Sequence, residues 1–103
     1  MRARLRHAMR RPSTVLEEHR DEVRRLIYEC GAENPRVFGS AAFGNDTPTS
    51  DLDILVTVRP ANAWKFVSLK TRLTKLLGID VDIVTDGGLR DKHKHILAEA
   101  VPL

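Results

Sequence analysis

One hundred and three residues with 42% apolar content suffice for one small domain, and no apolar run approaches the ~20 residues a membrane span needs. The formal net charge is +3, but residues 1–11 hold five arginines and no acid, leaving 12 basic against 14 acidic residues downstream. A basic tail on a mildly acidic domain is not the broad positive surface of a duplex binder, so direct nucleic-acid binding is not expected.

The N-terminal stretch lacks the apolar core of a secretory signal, and the single cysteine, Cys30, has no internal partner. Both point to a reducing cytoplasm. Residues 1–12 read as a flexible basic extension preceding a domain over 13–103. The competing reading makes them an arm touching nucleic acid or an acidic partner.

Pro12 and Ser13 lead into a helix, with Thr14 and Glu17 in capping-box spacing. Val15, Leu16, His19, Val23, Leu26, Ile27 and Cys30 recur at helical spacing, so the periodicity predicts one helix closed by Gly31. His19 and Cys30 lack a partner at metal spacing and read as packing residues. Arg36 to Phe38 is a short first strand.

The stretch Phe38–Val58, FGSAAFGNDTPTSDLDILVTV, carries the chemistry. Gly39 permits a sharp turn and a close ligand approach. Ser40 adds a hydroxyl and a backbone N–H, and a helix beginning at Ala41 would turn its free N–H groups to the same spot. Asn45–Thr49 is a polar loop. Ser50-Asp51-Leu52-Asp53 then opens a second strand. Strand side chains alternate, so Asp51 and Asp53 share one face while Leu52, Ile54 and Val56 take the other. Paired carboxylates repel unless a cation lies between them, and oxygen-only ligation beside phosphate suits magnesium. For Gly39 and Asp51 to meet, the two strands should be antiparallel neighbours.

Arg59-Pro60 ends that strand. Ala61 to Leu77 reads as one helix, with Trp64, Val67, Leu69, Leu73, Leu76 and Leu77 on a broad apolar face and Gly78 as its stop. Trp64 is either core or part of an exposed patch. Ile79 to Val84 is a third strand, with Asp82 on the face opposite Ile79, Val81 and Ile83, and Asp80 nearer the rim. An acid in mid-strand calls for a metal or a partner. Asp86-Gly87-Gly88 is a turn. Leu89 to Ala100 is a final helix, with Leu89, His93, Ile96, Leu97 and Ala100 toward the core and His95 at the surface.

From Ser13 to Leu103 this ordered set of Gly39-Ser40, Gly44, Ser50-Asp51-Leu52-Asp53 and Val81-Asp82-Ile83-Val84 resembles the minimal nucleotidyltransferases of the DNA polymerase beta-like superfamily. The fold expected is α+β: a small mixed sheet of about three strands with helices packed on it. The resemblance implies nucleotidyl transfer from ATP with loss of pyrophosphate. Asp51, Asp53 and Asp82 would hold two magnesium ions, ~3.5–4 Å apart in sites of this kind, with Asp82 also the base. Gly39, Ser40, Gly44 and Ser50 would bind the nucleotide. Small members of the family act as antitoxins that adenylylate a tyrosine of a HEPN-type ribonuclease toxin encoded next door, and an assembly with that partner is implied. A catalytically inactive antitoxin that neutralises by docking is the alternative. Transfer to a nucleic acid or a small molecule is less supported, since no basic cleft or second domain is visible to hold such an acceptor. The chain departs from the family where Phe43 stands in the place of a frequent Arg or Lys before Gly44; Arg36 or Lys65 would have to compensate. Phe43 itself reads as packing at the turn or as a stacking surface for the base.

Overall fold

The computed structural model describes residues 10–88 and 94–103. Helix α1 (Pro12–Glu18) and helix α2 (Arg20–Glu29) precede strand β1 (Ala32–Phe38). A 3-10 turn over Ser40–Phe43 and a loop lead to β2 (Leu52–Val58). A second 3-10 turn (Pro60–Asn62), helix α3 (Ala63–Phe66) and helix α4 (Leu69–Leu77) cross over to β3 (Val81–Thr85). A 3-10 turn (Asp86–Gly88), helix α5 (Lys94–Glu99) and the two-residue strand β4 (Val101–Pro102) follow.

The sheet is mixed, in the order β3-β2-β1-β4. The expected antiparallel pairing of β1 with β2 is present, with Phe38 opposite Asp53. Strand β3 runs parallel to β2, which the α3–α4 crossover permits. The fourth strand was not anticipated. Two residues carry too little periodicity to be read as a strand, yet Arg36 pairs with Pro102 and Val37 with Val101.

One face of the sheet is apolar and covered by helices. Val37, Leu52, Ile54, Val56 and Val81 pack there against Val15, Leu16, Val23, Ile27, Leu69, Leu73 and Leu77, all nearly free of solvent contact. Removing this much apolar area from water is the main stabilising term in a domain of this size. The opposite face carries Asp53 and Asp82 at one end and the buried Leu55 further along. Cross-strand register aligns Phe38, Asp53 and Asp82 in one row and Arg36, Leu55 and Val84 in the next.

Three helix expectations need correction. The first predicted helix is two, broken at His19, whose backbone (φ −120°, ψ 20°) leaves the helical range. Val15 and Leu16 still line up with Val23 seven or eight residues on, so the stripe crosses the break and periodicity does not reveal it. Thr14 is not a cap: Arg11 holds the N-cap position, and Pro12 fills the first turn, where its missing N–H costs nothing. The Ala61–Leu77 helix is likewise split, with Trp64 73% and Val67 80% exposed, so Trp64 belongs to the surface. The stops at Gly31 (φ 77°) and Gly78 (φ 68°) stand where expected. The start of the last predicted helix, including Leu89 and His93, lies outside the described residues. Leu97 is 42% exposed rather than core, and Leu103 is buried instead. Among the described residues no helix is long and apolar enough to cross a membrane.

Candidate active site

The antiparallel register delivers Gly39 to Asp53. Gly39 has φ 72° and ψ −157°, a conformation few side chains tolerate, and a Cβ added there would stand 2.3 Å from Asp53 Oδ2. Glycine is thus required twice over, by the bend and by the carboxylate lying against it. Ser40 is half-buried and begins the 3-10 turn. Gly44 closes that turn in the left-handed conformation, its N–H donating to the Ser40 carbonyl. The expected helix at Ala41 is only this four-residue turn, so it has little dipole to offer. The groups that remain for a phosphate are those of Ser40 and the exposed backbone around Gly44.

The parallel register delivers Asp82 to Asp53, directly across from it. The Leu52 N–H donates to the Asp80 carbonyl at 2.9 Å, locking the mouth of the two strands together. Asp51 precedes β2 and is exposed, as are Asp80 and Asp82. Asp51, Asp80, Val81 and Asp82 line an open cleft of about 410 Å³ with Lys70 and Thr74 of α4. Partial burial pushes the Asp53 carboxyl above its ordinary range, and the charges of Asp82 and then Asp51 push the same way. Both other predicted carboxylates therefore bear electrostatically on Asp53.

Donor chemistry at this point suits a hard cation: oxygen ligands only, and a central carboxylate whose charge is disfavoured until a positive neighbour arrives. Among the described residues, however, no three acidic, histidine or cysteine side chains stand as a preformed chelate. The fit rests on the donor set and the charge repulsion rather than on a closed cage.

Ser50 is placed differently. Its hydroxyl accepts from the Thr47 N–H at 2.9 Å and its own N–H donates to the Thr47 carbonyl, so it closes the loop's turn. The two basic residues considered as substitutes for a cation at Phe43 are engaged elsewhere. Arg36 is bound to Asp86 at 3.1 Å and to Thr57 at 3.3 Å, and Lys65 lies 5.4 Å over the Trp64 ring. The basic group the fold places beside the acids is Lys70, which sequence reasoning missed. Its only signal is a position on the exposed side of α4, visible once the crossover is known. Phe43 is 55% exposed.

The family profile of the nucleotidyltransferase domain matches residues 16–103. The chain belongs to the nucleotidyltransferase family. It is 34% identical over 90 residues to the protein adenylyltransferase MntA of Thermococcus cleftensis, covering 85% of this chain and 88% of that one. A Methanocaldococcus jannaschii protein assigned as a protein adenylyltransferase is 30% identical over 80 residues, covering 77% of this chain and 79% of the relative. A solved structure described as a minimal nucleotidyltransferase superposes with a TM-score of 0.79 at 39% identity, covering 88% of this chain and 95% of that one. The α+β architecture is that of a minimal nucleotidyltransferase, with four strands where three were expected. Nucleotidyl transfer is the enzymatic chemistry of the family.

Proposed function

We propose that this nucleotidyltransferase moves AMP from ATP to a tyrosine hydroxyl of a protein partner, and that the partner is a HEPN-type toxin encoded beside it, silenced by the modification. The observation that carries the reading is the double register at Asp53: Asp82 beside it on one strand, the Gly39–Ser40 bend against it on the other. Two relatives named for protein adenylylation support a protein acceptor.

Asp51, Asp53 and Asp82 would hold magnesium, which when bound neutralises the triphosphate and acidifies the attacking hydroxyl. Ser40 donates to the phosphates through its hydroxyl and N–H. Asp82, exposed at the cleft, is open to an incoming hydroxyl and accepts its proton as that oxygen bonds to the α-phosphorus. The bond from the α-phosphorus to the bridging oxygen breaks, and pyrophosphate leaves. In-line transfer asks mainly for positioning and charge neutralisation, which a small site can supply.

The test is incubation with α-labelled ATP, magnesium and the neighbouring gene's product. Label is expected on a tyrosine of the partner, and Asp53→Asn and Asp82→Asn should each lower the rate at least a hundredfold with the fold intact. Inhibition of the toxin with no label on it would overturn the transferase reading and leave docking.

A further inference from the structure

The turn that would meet the triphosphate has no cation of its own. From Val37 to Asp53 there is no lysine, arginine or histidine, while Asp46, Asp51 and Asp53 crowd the same segment. A polyphosphate brought to this place adds further negative charge, and Lys70 serves only the acid side of the cleft. Beyond what magnesium neutralises, a cationic side chain for the turn side has to come from elsewhere in the chain.

The structure brings it from the N-terminal segment. Asp46 is the one buried charged side chain among the described residues, 4% exposed. Its carboxylate accepts from the Ser13 N–H at 2.8 Å and the Ser13 hydroxyl at 3.0 Å. This pins the start of α1 to the loop that follows Gly44. Arg11, one residue before α1, then reaches the turn itself, where its guanidinium donates to the Gly44 carbonyl at 3.3 Å. Gly44 and Asn45 both donate to the Ser40 carbonyl, so the group Arg11 touches is one tight turn from Ser40. No carboxylate of the described residues pairs with Arg11, and the side chain is exposed. A guanidinium has five donors in a fork that fits phosphate oxygens, and one long bond to a carbonyl leaves most of them available.

We infer that Arg11 is a nucleotide-positioning residue, held beside the Gly39–Gly44 turn by the Ser13–Asp46 clamp so that its guanidinium binds the outer phosphates of ATP and the departing pyrophosphate. The inference rests on the transferase reading of the same site. It also assigns a purpose to the last arginine of the basic segment, adjacent to Arg10, which pairs with Glu18.

Titration calorimetry with magnesium-ATP and with inorganic pyrophosphate in magnesium buffer tests it. Arg11→Gln should weaken both about tenfold, the worth of one charge-assisted contact, with an unchanged thermal midpoint. Arg10→Gln should leave both affinities as they are. Phe43→Arg, in the Arg11→Gln background, puts a guanidinium back on the exposed side of the turn and should restore binding. If the unaltered chain binds magnesium-ATP and Arg11→Gln binds it equally well, Arg11 has no such role while the transferase reading stands. A weakened Arg11→Gln that Phe43→Arg leaves weak would equally overturn the charge argument. If the unaltered chain takes up neither ligand, this inference and the transferase reading fall together.

Discussion

Asp53 lies against Gly39 on one strand and across from Asp82 on another, and it is the residue where stability and chemistry conflict. Burial and two neighbouring carboxylates raise its pKa in the folded state. Between the ordinary carboxylate value and that raised value, the folded form keeps a proton that the unfolded form gives up. Stability therefore falls as pH climbs through this interval, and the full cost persists at pH 7. Asp53→Asn should raise the thermal midpoint at pH 7 by a few degrees while abolishing transfer. Millimolar magnesium should raise the midpoint of the unaltered chain and do little for the variant. A variant that melts lower than the parent at pH 7, followed by circular dichroism, would show that the repulsion is not the governing effect. The facing of Asp53 and Asp82 away from the core was legible in the sequence because strand alternation fixes which residues share a face, whereas Asp51 lies before β2 and is not placed by that rule. Ser50 bonds within its own turn, a role that a serine in a polar loop takes up without leaving a mark in the sequence.

At the scale of single elements, helix α1 is short, starts on a proline and has no local side-chain cap. The cap comes from 33 residues downstream, where Asp46 accepts both Ser13 donors. Asp46→Ala should destabilise the domain by about 1–3 kcal/mol, since it strands two donors at a half-buried site. The shift would appear in the urea midpoint, and Asp46→Asn, which keeps an acceptor, should lose less. Equal losses for the two would mean that the hydrogen bonds are not what matters. A capping box sought only among near neighbours pointed to Thr14, because a long-range cap leaves no spacing signature. The same limit explains the two split helices. No Gly or Pro marks His19, Val67 or Ser68, so nothing local in the sequence announces either break.

Across the whole molecule, one ion pair ties together three separate parts. Asp86 follows β3, Arg36 sits in β1 and Thr57 in β2. The Asp86 carboxylate accepts from Thr57 at 2.5 Å and from Arg36 at 3.1 Å. Burial alone would raise its pKa, but the hydrogen bonds from Thr57 and Arg36 and the Arg36 charge outweigh it and hold the carboxyl below the ordinary range. A depressed carboxylate contributes stability above its unfolded-state value and loses it as pH falls through the folded one. Asp86→Asn should thus cost on the order of 1–2 kcal/mol at pH 7, screened by the partial exposure of the pair. Denaturant midpoints of parent and variant should converge as pH drops below the carboxylate range. A gap that stays constant down to pH 2 would remove the ion pair from the account. The β1–β2 pairing and the site face were readable from alternation and from where the glycine bend had to lie. Strand β4 and the seat of Leu103 were not, because both depend on the chain's end returning to β1.

The parallel pairing of β2 with β3 has a further consequence, in kinetics rather than equilibrium. Asp53 and Asp82 are 29 positions apart, and they become neighbours only after an entire crossover has wrapped the sheet. Closing so long a loop has an entropic cost that local hairpins escape, so this edge should zip late during folding. A chain caught midway would own the serine bend and the first two acids, yet lack their counterpart. Competence to transfer would then wait on the closing of this edge, and copies that lack it would be inert by construction.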